Sequence, residues 1–112
     1  MKEFALIFRL DNMDNTIPTA DEIKERMNWL GSISAQNKLA DKGMGFSSEN
    51  AKVVRMDDIV TDGPFKEVKE FIGGLMLVKT ETIEEAVELA KLNPIFKTGG
   101  SIEVREVMKP NS

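Results

Sequence analysis

Residues 3–10, Glu3-Phe4-Ala5-Leu6-Ile7-Phe8-Arg9-Leu10, decide how the chain is read. In an extended strand successive side chains point to opposite faces. Phe4, Leu6, Phe8 and Leu10 therefore share one face, and Ala5, Ile7 and Arg9 share the other. Both faces are mostly apolar, which predicts a central strand covered on both sides. Arg9 is the exception on its face.

Working outward, residues 11–18 are polar and end at Pro18. Thr19 and Glu22 then form a capping box that opens a helix expected over about 20–41. Ala20, Ile23, Met27, Leu30 and Ile33 fall on one side at helical spacing, with Trp29 at the edge. Gly43 is the expected stop, and 44–48 reads as a short extended segment. Residues 51–56 and 59–61 read as two strands joined at Asp57-Asp58. Residues 72–79 form a strand whose Gly73-Gly74 pair predicts a bulge or a close backbone approach. Thr82 and Glu85 make a second capping box, with Ile83, Ala86, Val87 and Ala90 on the expected buried face. Residues 101–107 alternate as a last strand, with Ile102 and Val104 opposite Glu103 and Arg105.

The order is β-α-β-β-β-α-β, which predicts an α+β, ferredoxin-like fold: an antiparallel sheet with two helices on one face. Residues 1–108 are read as a single domain and 109–112 as a tail. Two helices cover only one face of the sheet, yet the strands are apolar on both. A second copy stacked on the bare face resolves this, so a homodimer is expected.

Composition narrows the chemistry. The chain has 112 residues and a formal charge of −4, and its 15 Lys and Arg residues are scattered, which argues against a nucleic-acid partner. It contains no Cys, no His and no Tyr. That removes thiolate and imidazole ligands, the Ser-His-Asp triad and the commonest general base near neutral pH. No cofactor or metal is implied. No apolar run approaches the roughly 20 residues that span a bilayer, so no membrane partner is expected. Phe4–Phe8 is too short for a signal peptide, which makes the cytoplasm the default location.

Val60-Thr61-Asp62-Gly63-Pro64-Phe65-Lys66-Glu67, with Lys69-Glu70-Phe71-Ile72-Gly73-Gly74 after it, resembles the signature of the YCII-related proteins, in particular their DGPF-domain branch. Gly99-Gly100-Ser101-Ile102-Glu103-Val104-Arg105 resembles that family's closing strand, and Lys2–Ile7 its opening one. The resemblance implies a dimeric α/β barrel with a pocket between helices, sheet and the Asp-Gly-Pro-Phe loop. Related YCII proteins carry a proposed catalytic His-Asp pair, and a dehydrochlorinase is known among them. This chain has no histidine, so that mechanism is not carried over. Some DGPF members neighbour sigma-factor genes, an association that points to regulation.

Asp62 has two readings. It can fix a turn by accepting backbone amide hydrogen bonds, or serve as a general base or ligand contact beside a cleft. Gly63 and Pro64 read as structural, because a residue before proline is restricted and glycine is not. Phe65 reads as a plug in the core or as a platform that stacks on a ligand. Arg9, Arg55 and Arg105 read as charges paired with Glu103 or Asp62, or as an anion site, since guanidinium grips carboxylates with two parallel bonds. Trp29 and Phe46 read as packing. Ser34 and Asn37 either line a cavity or mark a helix end reaching solvent.

Two functions follow. One is a homodimeric module that binds a small anionic metabolite, or acts in regulation, through Asp62, Arg9, Arg105 and Phe65. The other is a carboxylate-dependent lyase- or isomerase-like enzyme, with Asp62 as base and an arginine holding the developing anion. The missing His, Cys and Tyr weigh toward the first.

Overall fold

The structure, a computed structural model, describes residues 1–10, 19–47, 50–62 and 71–108. Its elements are β1 (Lys2–Leu10), α1 (Ala20–Ala35), β2 (Leu39–Gly45), β3 (Lys52–Arg55), β4 (Ile59–Asp62), β5 (Phe71–Thr80), α2 (Ile83–Lys91), a 3-10 turn (Pro94–Thr98) and β6 (Ser101–Glu106). The four-stranded sheet has the order β2-β5-β1-β6, and every pair in it is antiparallel. With the β3–β4 hairpin set aside, this is the ferredoxin-like strand order.

β1 lies between β5 and β6, as its two apolar faces predict. Phe4 and Leu6 point to the helix side and are buried with Met76 and Val78 of β5. Trp29 and Ile33 of α1, and Ala86, Leu89 and Ala90 of α2, close over them in one core. Each fully buried Phe, Leu, Ile or Val side chain contributes on the order of 1.5–3 kcal/mol, so this layer holds both helices to one face.

Both helix starts form as their capping boxes predict. The Thr19 side chain accepts from the Glu22 amide, and the Thr82 side chain accepts from that of Glu85. α1 ends at Ala35, well before the expected residue 41. Asn37 takes φ +58°, the Lys38 amide donates to the Ile33 carbonyl, and the Asn37 amide donates to that of Ser34. This is a left-handed cap with asparagine in the usual glycine place. Residues 39–45 then pair with β5 instead of extending the helix.

The buried side of α1 is also turned from the expected one. Trp29 and Ile33 face the core, whereas Ile23 and Met27 are exposed. Leu30 packs on the core as expected, so the buried side is turned toward the Trp29 edge of the expected stripe by less than one residue step of about 100°. Trp29 sets the rotation. Its indole N–H donates to the Leu89 carbonyl at 2.8 Å, and its ring meets Phe8 edge-on at 6.3 Å between centroids. In α2, Leu89 takes the buried place expected of Ile83, which is exposed.

Gly73-Gly74 provides both features read from it. Phe8 pairs with Gly74 and Arg9 with Ile72, so Gly73 is the extra residue of a bulge. A side chain on Gly74 would lie 2.5 Å from the Met44 carbonyl oxygen. Across the same pair of strands, Gly43 has φ +89° and lies against the Leu75 carbonyl. No helix of the described residues is long and apolar enough to cross a membrane.

Candidate functional site

Glu103 gathers the two candidate arginines of the sheet. β1 and β6 pair so that Ile7 faces Glu103, Ala5 faces Arg105 and Arg9 faces Ser101. The alternation therefore places Arg9, Glu103 and Arg105 on the face away from the helices. Arg9 donates from Nε at 3.0 Å and from a terminal nitrogen at 2.7 Å, both to Oε1 of Glu103. The second carboxylate oxygen lies 3.8 Å from Nε of Arg105. The Arg9 side chain is only 28% exposed, whereas that of Arg105 is 70% exposed.

The surroundings sharpen the electrostatics. Ala5 and Ile7 of β1 and Leu75 and Leu77 of β5 are half-buried on the same face. They form an apolar strip with Arg9 at one end, Glu103 and Arg105 flanking it on β6, and Glu3 and Lys79 at the other end. A guanidinium carries five donors, and the Glu103 contact engages Arg9 through two nitrogens. The arrangement can present an oriented cation to a carboxylate or phosphate.

Asp62 sits elsewhere. It is the last residue of β4, directly across the hairpin from Lys52, and its carboxylate accepts from the Lys52 ammonium. Its side chain is 80% exposed. Gly63, Pro64 and Phe65 lie outside the described residues, so the expected roles of Phe65 and of the loop lie outside them too. The expected pairing of an arginine with Glu103 is met by Arg9. The partner of Asp62 is a lysine that the sequence reading did not single out. From the sequence, Asp57-Asp58 reads as a two-residue turn. The strands instead pair Arg55 with Ile59 around the three-residue connection 56–58, with Asp57 and Asp58 at φ +65° and +61°. Lys52 and Asp62 are equidistant from Asp57, which is the signal that would have matched them.

Among the remaining candidates, Trp29 is core, whereas Phe46, Ser34 and Asn37 are exposed. An open groove of about 430 Å³ lies between the end of α1 and α2, lined by Gln36, Lys38, Glu85, Glu88 and Leu92 among others. None of the candidate arginines or Asp62 lines it. Among the described residues, no buried polar side chain lacks a hydrogen-bond partner, and no acidic group converges as a metal site would.

The fold and this site together define an α+β domain with two helices on one sheet face and arginines on the other. The chain belongs to the YCII-related domain family, whose model matches residues 7–111. Among curated proteins no significant match is found.

Proposed function

We propose that the chain is a DGPF-branch member of the family that works in the cytoplasm as a homodimeric binding module, taking a small anionic metabolite at the Arg9–Glu103–Arg105 cluster. The observation that carries this reading is the sheet face that neither described helix covers, where an oriented arginine sits beside an apolar strip. Two such faces stacked together bury the strip and lower the dielectric around the arginines, which strengthens their hold on an anion. The lack of histidine supports binding over proton-relay chemistry. Asp62 enters this reading as a hairpin charge paired with Lys52. A general base works better from a desolvated cleft, and Asp62 stands on an exposed ribbon.

Isothermal titration with a panel of small carboxylates and phosphate esters tests the site. The expected result is at least one ligand bound by the wild type and bound ten-fold or more weakly by Arg9→Met, with a smaller loss for Arg105→Met. Equal affinity of wild type and Arg9→Met for every bound anion refutes the site.

A further inference from the structure

Among the described residues, the β3–β4 hairpin carries exposed apolar side chains, Val54, Met56 and Val60. Beyond the pairing of its own strands it makes only sparse contact with the rest of the described fold. Its two ribbon faces differ. Val53, on one face, is buried. Lys52, Val54, Val60 and Asp62 share the other, where Val54 is 72% exposed. Met56, at the tip, is 85% exposed. A lone two-stranded ribbon is marginally stable in water, and four residues per strand give it little to stand on. An apolar ribbon of this kind is a surface built for a partner.

The rest of the same chain presents the complementary features. The molecule is a slab of 45 × 43 × 18 Å, so its broad face has room for the roughly 800 Å² per partner that a stable interface buries. That face carries the half-buried strip of Ala5, Ile7, Leu75 and Leu77, and at its β6 margin the exposed Arg105. The hairpin tip is acidic, with Asp57 and Asp58 side by side and exposed. Apolar meets apolar and acid meets base when one copy's hairpin reaches the other copy's sheet margin.

We infer that the β3–β4 hairpin is an arm that clasps a second copy of this chain, laying Val54, Val60 and Met56 on the rim of its free sheet face with the acidic tip beside Arg105. This rests on the homodimer proposed above. It sets one copy's acidic tip against the other copy's Arg105, which leaves Arg9 as the cation that holds the anion. The Lys52–Asp62 pair then lies at the root of the arm and holds its two strands in register.

Two variants test the arm by sedimentation equilibrium. Val54→Lys with Val60→Glu replaces the outward apolar pair with opposite charges that still pair across the strands. Asp57→Asn with Asp58→Gly removes the acidic tip while keeping residues that accept positive φ. The first is expected to raise the dimer dissociation constant at least fifty-fold and the second about five-fold, each with an unchanged far-UV circular dichroism spectrum. In 0.5 M NaCl the second variant and the wild type should converge, because salt screens the tip contact. A dimeric wild type whose affinity neither variant alters refutes the arm and leaves the sheet-to-sheet dimer standing. A monomeric wild type refutes both.

Discussion

The Arg9–Glu103 contact carries a defined energetic consequence. Both of its bonds are charge-assisted and of good length, at 3.0 and 2.7 Å. Such bonds contribute about 1.5–3 kcal/mol when sheltered, whereas fully exposed ion pairs contribute about 0.2–1 kcal/mol. The side chains are 28% and 37% exposed, which places the pair between these limits and calls for a discount toward the lower one. A coupling energy of about 1 kcal/mol is the expected result of a double-mutant cycle built from Arg9→Met, Glu103→Gln and the double variant. Urea denaturation followed by circular dichroism, at one fixed protein concentration, measures it. Each single variant should lose more than the double variant implies by additivity, because each leaves one charge or dipole on a half-apolar face without its partner. Raising NaCl to 1 M should reduce the coupling only in part, since partly sheltered pairs are screened less than exposed ones. A coupling below about 0.3 kcal/mol, within the error of such cycles, would refute the oriented arginine on which the anion site depends.

Other substitutions test the framework around the site. Trp29→Phe removes the hydrogen bond to the Leu89 carbonyl, which retains only the longer 3.4 Å contact from the Leu92 amide. It should lower stability by about 1–3 kcal/mol in urea denaturation followed by circular dichroism, and a loss under about 0.5 kcal/mol would contradict the role given to Trp29. Gly74→Ala should cost about 1–3 kcal/mol by the same assay, because the new methyl group meets the Met44 backbone across β2. Asn37→Gly should be neutral within about 0.5 kcal/mol, whereas Asn37→Val should cost about 1–2 kcal/mol, since β-branched residues resist the left-handed cap.

The parts of this fold that alternation encodes could be read from the residues themselves. The two apolar faces of β1 place it at the sheet centre, and the opposed faces of β6 put Glu103 and Arg105 beside Arg9. Gly73-Gly74 signals both features: Gly73 is the bulge against β1, and only glycine at 74 tolerates the approach of the Met44 backbone. β2 was hidden for a physical reason: Asp41, Lys42 and Gly43 break any alternation, and pairing with β5 overrides local preference. The same segment makes α1 look longer than it is, since Asn37 is a weaker stop signal than glycine. In α1, Leu30 and Ile33 of the expected stripe meet the core, but Ile23 and Met27 are exposed, because one indole reaching Leu89 turns the Trp29 edge inward. At the hairpin, a one-residue difference in the connection moved the partner of Lys52 to Asp62. Asp62, which opens the Asp-Gly-Pro-Phe motif, is expected in a turn and ends β4 instead.

The claim at the centre of this account is that the arginine-bearing sheet face is an interface between two copies of the chain. Sedimentation equilibrium of the wild type and of Leu77→Lys, which puts an ammonium in the middle of the apolar strip, tests it directly. The account predicts twice the chain mass for the wild type at low micromolar concentration and a single chain mass, with unchanged circular dichroism, for Leu77→Lys. A wild type that sediments as one chain at 50-fold higher concentration, or a Leu77→Lys variant that dimerises as tightly as the wild type, would contradict it.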